Sequence, residues 1–96
     1  MDRQRAIALL ESSKPDLARQ FGVTRLCLFG PTVRDTTTER SDVDVLVAFD
    51  GPATSKRYFG VQFYLEDLLG LPVDLATETA LPEALRPYVE KECVDV

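Results

Sequence analysis

The sequence predicts one small domain of mixed helices and strands, an α/β or α+β fold, over residues 1–96. Two observations indicate this fold class. Some segments repeat apolar residues at helical spacing, whereas others are short, continuously apolar runs that end at glycine or proline turns. A chain of 96 residues is also too short for two hydrophobic cores. We therefore expect a small mixed β-sheet with flanking helices.

Two short helices are predicted at the start of the chain. The segment from Arg3 to Leu10 is amphipathic at helical spacing. Ser13 is a capping residue type, and Pro15 is favoured in the first turn of a helix, so a second helix is expected to begin there. This helix should end near Phe21, with Gly22 as the residue that follows it.

Two further helices are predicted in the second half. The helical spacing returns from Ser55 to Leu69, where Gly70 ends it. A last short helix is expected over Pro82 to Glu92, bent at Pro87.

Three strands separate these helices. They are predicted over Val23–Phe29, Asp42–Phe49 and Leu71–Ala76, and a polar loop over Pro31–Ser41 joins the first two. The turn signal Asp50-Gly51-Pro52 closes the second strand. The order is therefore α-α-β-β-α-β-α.

The composition excludes several kinds of chemistry. The chain has no histidine, which removes Ser-His-Asp and Cys-His catalysis and any zinc site that needs imidazole. Its two cysteines, Cys27 and Cys93, are far apart in sequence and cannot form a metal knuckle. Cys27 lies in an apolar run, where a buried, reduced thiol is expected.

Charge and hydropathy narrow the class of partner. Sixteen acidic and 11 basic residues give a net charge of −5, which argues against direct, sequence-indifferent binding of nucleic acid. No apolar run approaches the ~20 residues that span a bilayer, and the N-terminus has no signal-peptide pattern. We expect a cytoplasmic protein without membrane contact. The acidic balance suits a basic protein partner or carboxylates that hold a metal.

Carboxylates interrupt two of the predicted strands. In the second strand, Asp42 and Asp44 precede an apolar run and point to the same side, because side chains alternate along a strand. Asp74 interrupts the third strand, which we expect to neighbour the second. Both sides of the second strand become apolar within a few residues, which is typical of a strand covered on both faces. Since aspartate is disfavoured in strands and rarely buried unpaired, these three acids are candidate site residues.

Neighbouring carboxylates at the mouth of a buried strand repel each other unless one is protonated or a cation lies between them. Oxygen ligands favour Mg²⁺, or Mn²⁺, over zinc. The alternative is that Asp-x-Asp only caps a turn or binds metal structurally.

The segment before the second strand has the pattern of a phosphate-binding turn. The first predicted strand runs into Gly30, where backbone N–H groups at a strand–turn–helix junction can contact phosphates. Arg34 could add a charge to a phosphate oxygen. Ten residues, Thr32 to Ser41, separate Pro31 from Asp42.

The combined pattern resembles the minimal nucleotidyltransferases of the DNA polymerase β superfamily. Their signature is Gly-Ser, ten residues and Asp-x-Asp, within Leu-Phe-Gly-Ser-x-Ala-Arg-Gly and Ser-Asp-x-Asp-Leu-Leu-Val. This chain has Leu28-Phe29-Gly30-Pro31-Thr32-Val33-Arg34-Asp35 and Ser41-Asp42-Val43-Asp44-Val45-Leu46-Val47, and Val73-Asp74-Leu75 matches the third acidic strand. The resemblance implies a polymerase β-like nucleotidyltransferase fold.

The resemblance also implies site residues, a cofactor and a partner. It makes Asp42 and Asp44 metal ligands, and Asp74 a ligand or the general base. Mg²⁺ is the usual metal and ATP the usual donor. Members of this size resemble the antitoxin half of a HEPN/MNT toxin–antitoxin pair, which transfers AMP to a tyrosine of the toxin. A basic, RNA-acting toxin would complement the acidic charge of this chain.

The chain departs from the family pattern in its phosphate half. The nucleotide-binding positions are Gly30, Pro31, Thr32 and Arg34, of which Pro31 replaces the motif serine and so lacks a hydroxyl and a backbone N–H. Val33 replaces the small alanine, and Asp35 replaces the glycine.

These departures leave a second function open. The chain could be a weak or inactive member that neutralises its partner by binding alone. Its binding surface would lie around Tyr58, Phe59 and Tyr64. The competing interpretation is that Phe59 and Phe63 simply pack in the core.

Overall fold

The computed structural model describes residues 3–29 and 43–96. They form three α-helices, one short 3₁₀ helix and four strands. In chain order these are α1 (Arg3–Phe21), β1 (Val23–Phe29), β2 (Val43–Phe49), α2 (Ser55–Leu69), β3 (Val73–Thr77), a 3₁₀ turn (Glu83–Leu85), α3 (Arg86–Glu92) and β4 (Val94–Asp95). Within these residues, no helix is both long and apolar enough to cross a membrane.

The four strands form one mixed sheet in the order β3-β2-β1-β4. β1 runs antiparallel to β2 and to β4, whereas β2 and β3 are parallel and are joined through α2. The expected small mixed sheet with flanking helices is therefore confirmed.

The main core lies between one face of this sheet and the helices α1 and α2. Its strand residues alternate along each strand, as a half-buried sheet requires. They are Val23, Leu26, Leu28, Val43, Val45, Val47, Val73 and Leu75, and a register shift between Val23 and Arg25 interrupts the alternation at the start of β1. A smaller cluster of Cys27, Leu46 and Val89 covers the other face through α3. β2 is thus buried on both sides, as its sequence predicts.

The first helix differs from the prediction. Instead of two helices separated at Ser12–Asp16, α1 is continuous for 19 residues and contains Pro15. The hydroxyls of Ser12 and Ser13 donate to carbonyls one turn earlier, at 2.9 and 3.0 Å. Proline inside a helix costs about 3 kcal/mol, and the fully buried Leu10 and Leu17 on either side of it offset this cost by packing in the core.

The helix ends were predicted more accurately. Gly22 follows α1 with a φ of 74°, and its N–H donates to the carbonyl of Ala18 at 3.0 Å. α2 has the predicted bounds, with Thr54 as its N-cap and Gly70, at φ 71°, after its last residue. Both glycines occupy the left-handed region, which other residues rarely adopt.

The C-terminal segment is more divided than its sequence indicates. The predicted helix over Pro82–Glu92 is a 3₁₀ turn followed by α3, with Pro87 in the first turn of α3. β4 was not predicted, because two residues are too few to show an alternating pattern. The N–H of Val96 donates to Leu26, which holds this end of the chain against β1.

Two aromatic residues of α2 are not core residues. Phe59 is 49% exposed and Phe63 is 64% exposed, so the core-packing interpretation of this pair is wrong. Val61, Leu65 and Leu69 fill the core side of the helix instead. The partner-binding surface suggested by the sequence also included Tyr58 and Tyr64, and both of these side chains are only partly exposed.

Candidate active site

Asp44 and Asp74 are direct neighbours in the sheet. In the parallel pairing of β2 with β3, Asp44 lies opposite Asp74. Adjacent strands are about 5 Å apart, and side chains in register point to the same face, so the two carboxylates project side by side. Asp44 is half-buried and Asp74 is exposed. The expectation that they lie on neighbouring strands is therefore met.

The ends of three strands meet beside this acid pair. Asp44 and Asp74 are each the second residue of their strand, and the last residue of β1, Phe29, lies opposite Asp44. Val43 is held at this edge by an N–H donated to Pro72 at 2.9 Å.

The remaining predicted site residues lie outside the described residues. They are Gly30, Pro31, Thr32, Arg34 and Asp42. In sequence, these residues lie between Phe29 and Val43, and both Phe29 and Val43 lie beside the acid pair.

An apolar row lies directly behind the acid pair. On the same face, Cys27, Leu46 and Ala76 stand in register across β1, β2 and β3. Cys27 and Leu46 are fully buried beneath Val89 of α3. Asp44 is therefore bordered by buried apolar side chains, whereas Asp74 is open to solvent.

The donor set fits a magnesium-type metal. Both described donors are carboxylates, and hard divalent cations prefer oxygen. Among residues 3–29 and 43–96, no three His, Cys, Asp or Glu side chains cluster in a way that could hold a metal. A complete ligand set would therefore need a donor beyond Asp44 and Asp74, and Asp42, which directly precedes β2, is the candidate that the sequence supplies.

Helix α2 fixes the strand that carries Asp74. β3 is an edge strand, and side chains four residues apart on α2 bind its backbone. The Tyr58 hydroxyl donates to the carbonyl of Leu75 at 2.7 Å, and the Gln62 amide donates to that of Val73 at 3.2 Å. The Glu66 carboxylate accepts from the N–H of Val73 at 3.0 Å. These bonds occupy backbone groups that an edge strand otherwise exposes.

An ion-pair cluster fastens the C-terminal segment to the same sheet face. The Arg25 guanidinium donates to Glu90 at 2.8 and 3.0 Å, to Asp95 at 3.0 Å and to Glu78 at 3.4 Å. The bonds to Glu90 and then to Asp95 raise the pKa of Arg25, and the same guanidinium lowers the pKa of Glu90 and of Asp95. This cluster is not predictable from local sequence patterns, because its acidic members are 53 to 70 residues from Arg25.

The cysteines are structural thiols. Cys27 is free and buried, as predicted, and its Sγ donates to the Asp95 carboxylate at 2.9 Å. Burial, followed by this hydrogen bond, raises the pKa of Cys27, and burial also raises that of Cys93. The fold packs Cys93 against the cluster that contains Cys27, although the two cysteines are far apart in sequence. A raised thiol pKa argues against a nucleophilic role.

Comparison with known proteins places this geometry in a family. Residues 10–96 match the nucleotidyltransferase domain family. The protein adenylyltransferase MntA of Thermococcus cleftensis is 37% identical over 89 residues, which cover 93% of this chain and 90% of that protein. A solved structure described as a minimal nucleotidyltransferase is 33% identical, with a TM-score of 0.85 over 100% of this chain and 97% of the other.

Two toxin–antitoxin structures share the fold at lower identity. One is a toxin–antitoxin with AMP-PNP, at 20% identity and a TM-score of 0.70 over 99% of this chain and 72% of that one. The other is a tri-AMPylated Shewanella oneidensis HEPN toxin in complex with an MNT antitoxin, at 18% identity and a TM-score of 0.61, covering 97% and 66%. From the family match and the extent of the MntA similarity, the chain belongs to the nucleotidyltransferase domain family.

Proposed function

We propose that this protein is an antitoxin that transfers AMP from ATP to a hydroxyl group, a tyrosine by the family resemblance, on a cognate HEPN toxin. Its relative in Thermococcus is a protein adenylyltransferase, and chains of the same fold occur in complexes with HEPN toxins, one of them AMPylated. The net charge of −5 supports a basic protein partner.

The observation that carries the proposal is the register of Asp44 with Asp74. It puts two carboxylates on one face of the sheet, where β1 ends and β2 and β3 begin. The motif residues that the family uses for the nucleotide lie between β1 and β2 in sequence. A transferase that holds a nucleotide and a metal requires these two sets of groups at one place.

The residues take the following roles in this proposal. Asp42 and Asp44 hold the metal, and Asp74 either ligates it or accepts the proton of the attacking hydroxyl. That hydroxyl oxygen attacks the α-phosphorus of ATP, the bond from this phosphorus to the β-bridging oxygen breaks, and pyrophosphate leaves. When bound, Mg²⁺ or Mn²⁺ would neutralise phosphate charge and favour the departure of pyrophosphate.

The backbone N–H groups near Gly30 and Thr32, together with the Arg34 guanidinium, would bind the phosphates in this proposal. Pro31 contributes no N–H. A lost hydrogen bond to a charged group costs about 1.5–3 kcal/mol, which corresponds to roughly ten-fold to a hundred-fold in affinity.

This loss supports a second candidate function, in which the protein neutralises its toxin by binding alone. Under both candidate functions we propose a cytoplasmic location. Buried, reduced thiols such as that of Cys27 are typical of that compartment.

Transfer of a radiolabelled α-phosphate from ATP to the co-purified toxin tests the proposal. Wild-type protein should label the toxin in the presence of Mg²⁺, and Asp44→Asn should reduce the labelling about a hundred-fold or more, because the metal loses a charged ligand. Glu11→Gln is the matched control, since Glu11 is an exposed carboxylate on α1.

A pull-down with the same proteins separates the two candidate functions. If wild-type protein binds the toxin tightly but transfers no label, the binding-only function replaces the transferase. If Asp44→Asn labels the toxin as fast as wild type does, the assigned site is wrong.

A further inference from the structure

Helix α2 carries an apolar surface that the core does not use. The rings of Phe59 and Phe63 are 49% and 64% exposed and are stacked with their centroids 6.3 Å apart. They lie four residues apart and therefore on one face of the helix. Exposed aromatic pairs of this kind are typical anchors of protein interfaces.

A groove lies beside this aromatic pair. It has a volume of about 430 Å³ and is larger than one phenyl ring. Tyr58 and Phe59 form one wall, and small side chains form the rest: Ala53, Ser55, Thr77, Thr79 and Ala80. The groove lies on the side of Phe59 that faces β3.

Opposite charges flank the pair at its two ends. Lys56 precedes Phe59 by three residues and Asp67 follows Phe63 by four, so both are turned to the same side of the aromatic pair. Both side chains are exposed, and within the described ranges neither forms an ion pair. At about 1.5 Å per residue, they are roughly 17 Å apart along α2.

The pattern is symmetric about position 61. The midpoint of Phe59 and Phe63 is residue 61, and the midpoint of Lys56 and Asp67 is half a residue further along. A two-fold axis that passes near this position, perpendicular to α2, would place each member of a pair opposite the other member on an antiparallel copy. A surface with this symmetry is complementary to itself.

We propose that this α2 surface binds the same surface of a second copy of the chain and forms a two-fold symmetric dimer. Phe63 of each copy packs on the Phe59 ring of the other. Lys56 of each copy faces Asp67 of the other, which gives two ion pairs at the rim of an apolar centre. The two helices run antiparallel.

The neighbouring strand supports pairing through helices. β3 is the edge strand beside α2, and pairing through it would need free backbone groups. The side chains of Tyr58, Gln62 and Glu66 already bind the backbone of Val73 and Leu75. The exposed aromatic face of α2 is therefore the part of this region that remains available to a second copy.

Sedimentation equilibrium of the full chain tests the proposal. Wild-type protein should be dimeric at tens of micromolar, and Phe63→Ser should weaken the dimer at least ~30-fold, because the substitution removes two anchors per dimer. Tyr88→Ser is the matched control. Tyr88 is 71% exposed and lies on α3, outside this surface, so its loss should leave the dimer unchanged.

Charge reversal makes the test specific to the proposed arrangement. Lys56→Glu or Asp67→Lys alone should weaken the dimer about ten-fold, because each replaces two attractions by two repulsions. The double variant Lys56→Glu/Asp67→Lys should restore wild-type dimerisation. The two single variants, when mixed, should form a dimer with each other.

Two results would overturn the proposal. One is a double variant that dimerises no better than either single variant. The other is a wild-type chain that is monomeric at tens of micromolar; loss of toxin binding in its Phe63→Ser variant would then assign the surface to the toxin.

Discussion

Replacement of Tyr58 by Phe tests whether α2 holds the edge strand that carries Asp74. The substitution removes one hydroxyl, which donates to the carbonyl of Leu75 at 2.7 Å in a partly buried position. Losing one such hydrogen bond costs about 1 kcal/mol. For a domain of this size, about 1 kcal/mol lowers the melting temperature by roughly 4–8 °C.

The other two tyrosines provide graded controls in one series. Tyr64 donates to the Asp16 carboxylate at 3.3 Å, a longer bond, so Tyr64→Phe should lower the melting temperature less. Tyr88 is 71% exposed and forms no hydrogen bond within the described part of the chain, so Tyr88→Phe should have almost no effect.

Thermal unfolding followed by circular dichroism, with urea unfolding as a second measurement, gives the ranking of the three variants. If Tyr58→Phe melts within a degree of wild type, or if Tyr88→Phe loses as much stability, α2 does not hold the edge of β3 in this way.

Three further predictions concern backbone geometry, pH and thiol access. Gly22→Ala should destabilise the fold more than Gly70→Ala, because both residues have positive φ but only at Gly22 would the new Cβ contact a carboxylate, at 2.6 Å; urea midpoints would compare them. Arg25 lowers the pKa of Asp95, so this pair stabilises the fold above the ordinary aspartate pKa of about 3.9, and the stabilisation is lost as the pH falls through the lowered value. Unfolding midpoints measured between neutral and acid pH should therefore fall less steeply for Arg25→Met than for wild type. Cys27 should react with a thiol reagent at pH 8 only as fast as the protein unfolds, because it is fully buried, and immediate reaction of both thiols in folded protein would contradict this placement.

The local features of the fold were predictable because their causes are local. Gly22 and Gly70 end their helices through a backbone conformation that glycine adopts readily. The strand that contains Asp44 was predictable from its apolar run, which the turn signal Asp50-Gly51-Pro52 closes. That Asp44 and Asp74 lie on neighbouring strands was expected, since the two acids interrupt apolar runs on separate strands, but the parallel register that sets them opposite each other was not predicted.

The features that the sequence did not predict depend on contacts between distant residues. Pro15 indicates a break in the first helix, yet packing of Leu10 and Leu17 on the sheet keeps the helix continuous. β4 exists because it pairs with Cys27 and Leu28 of β1 and because Arg25 binds Asp95, not because two residues favour a strand.

The exposed aromatic pair of α2 shows a different limit. Helical spacing marks an apolar stripe but does not say which apolar residues face the core. On α2 the core side is filled by Val61, Leu65 and Leu69, which leaves Phe59 and Phe63 at the surface. Their exposure could be recognised only after α2 had been placed against α1 and β3.

Calorimetric titration of the purified chain with ATP, with and without Mg²⁺, tests most directly whether the edge that carries Asp44 and Asp74 is a nucleotide site. We predict Mg²⁺-dependent binding in the micromolar range for wild type and for Glu11→Gln, and its loss in Asp44→Asn. Asp74→Asn should bind but transfer AMP slowly if Asp74 is the general base, whereas equal losses of binding and transfer would make it a metal ligand. Absence of ATP binding in folded wild-type protein, or unchanged Mg²⁺-dependent binding in Asp44→Asn, would contradict the assigned site.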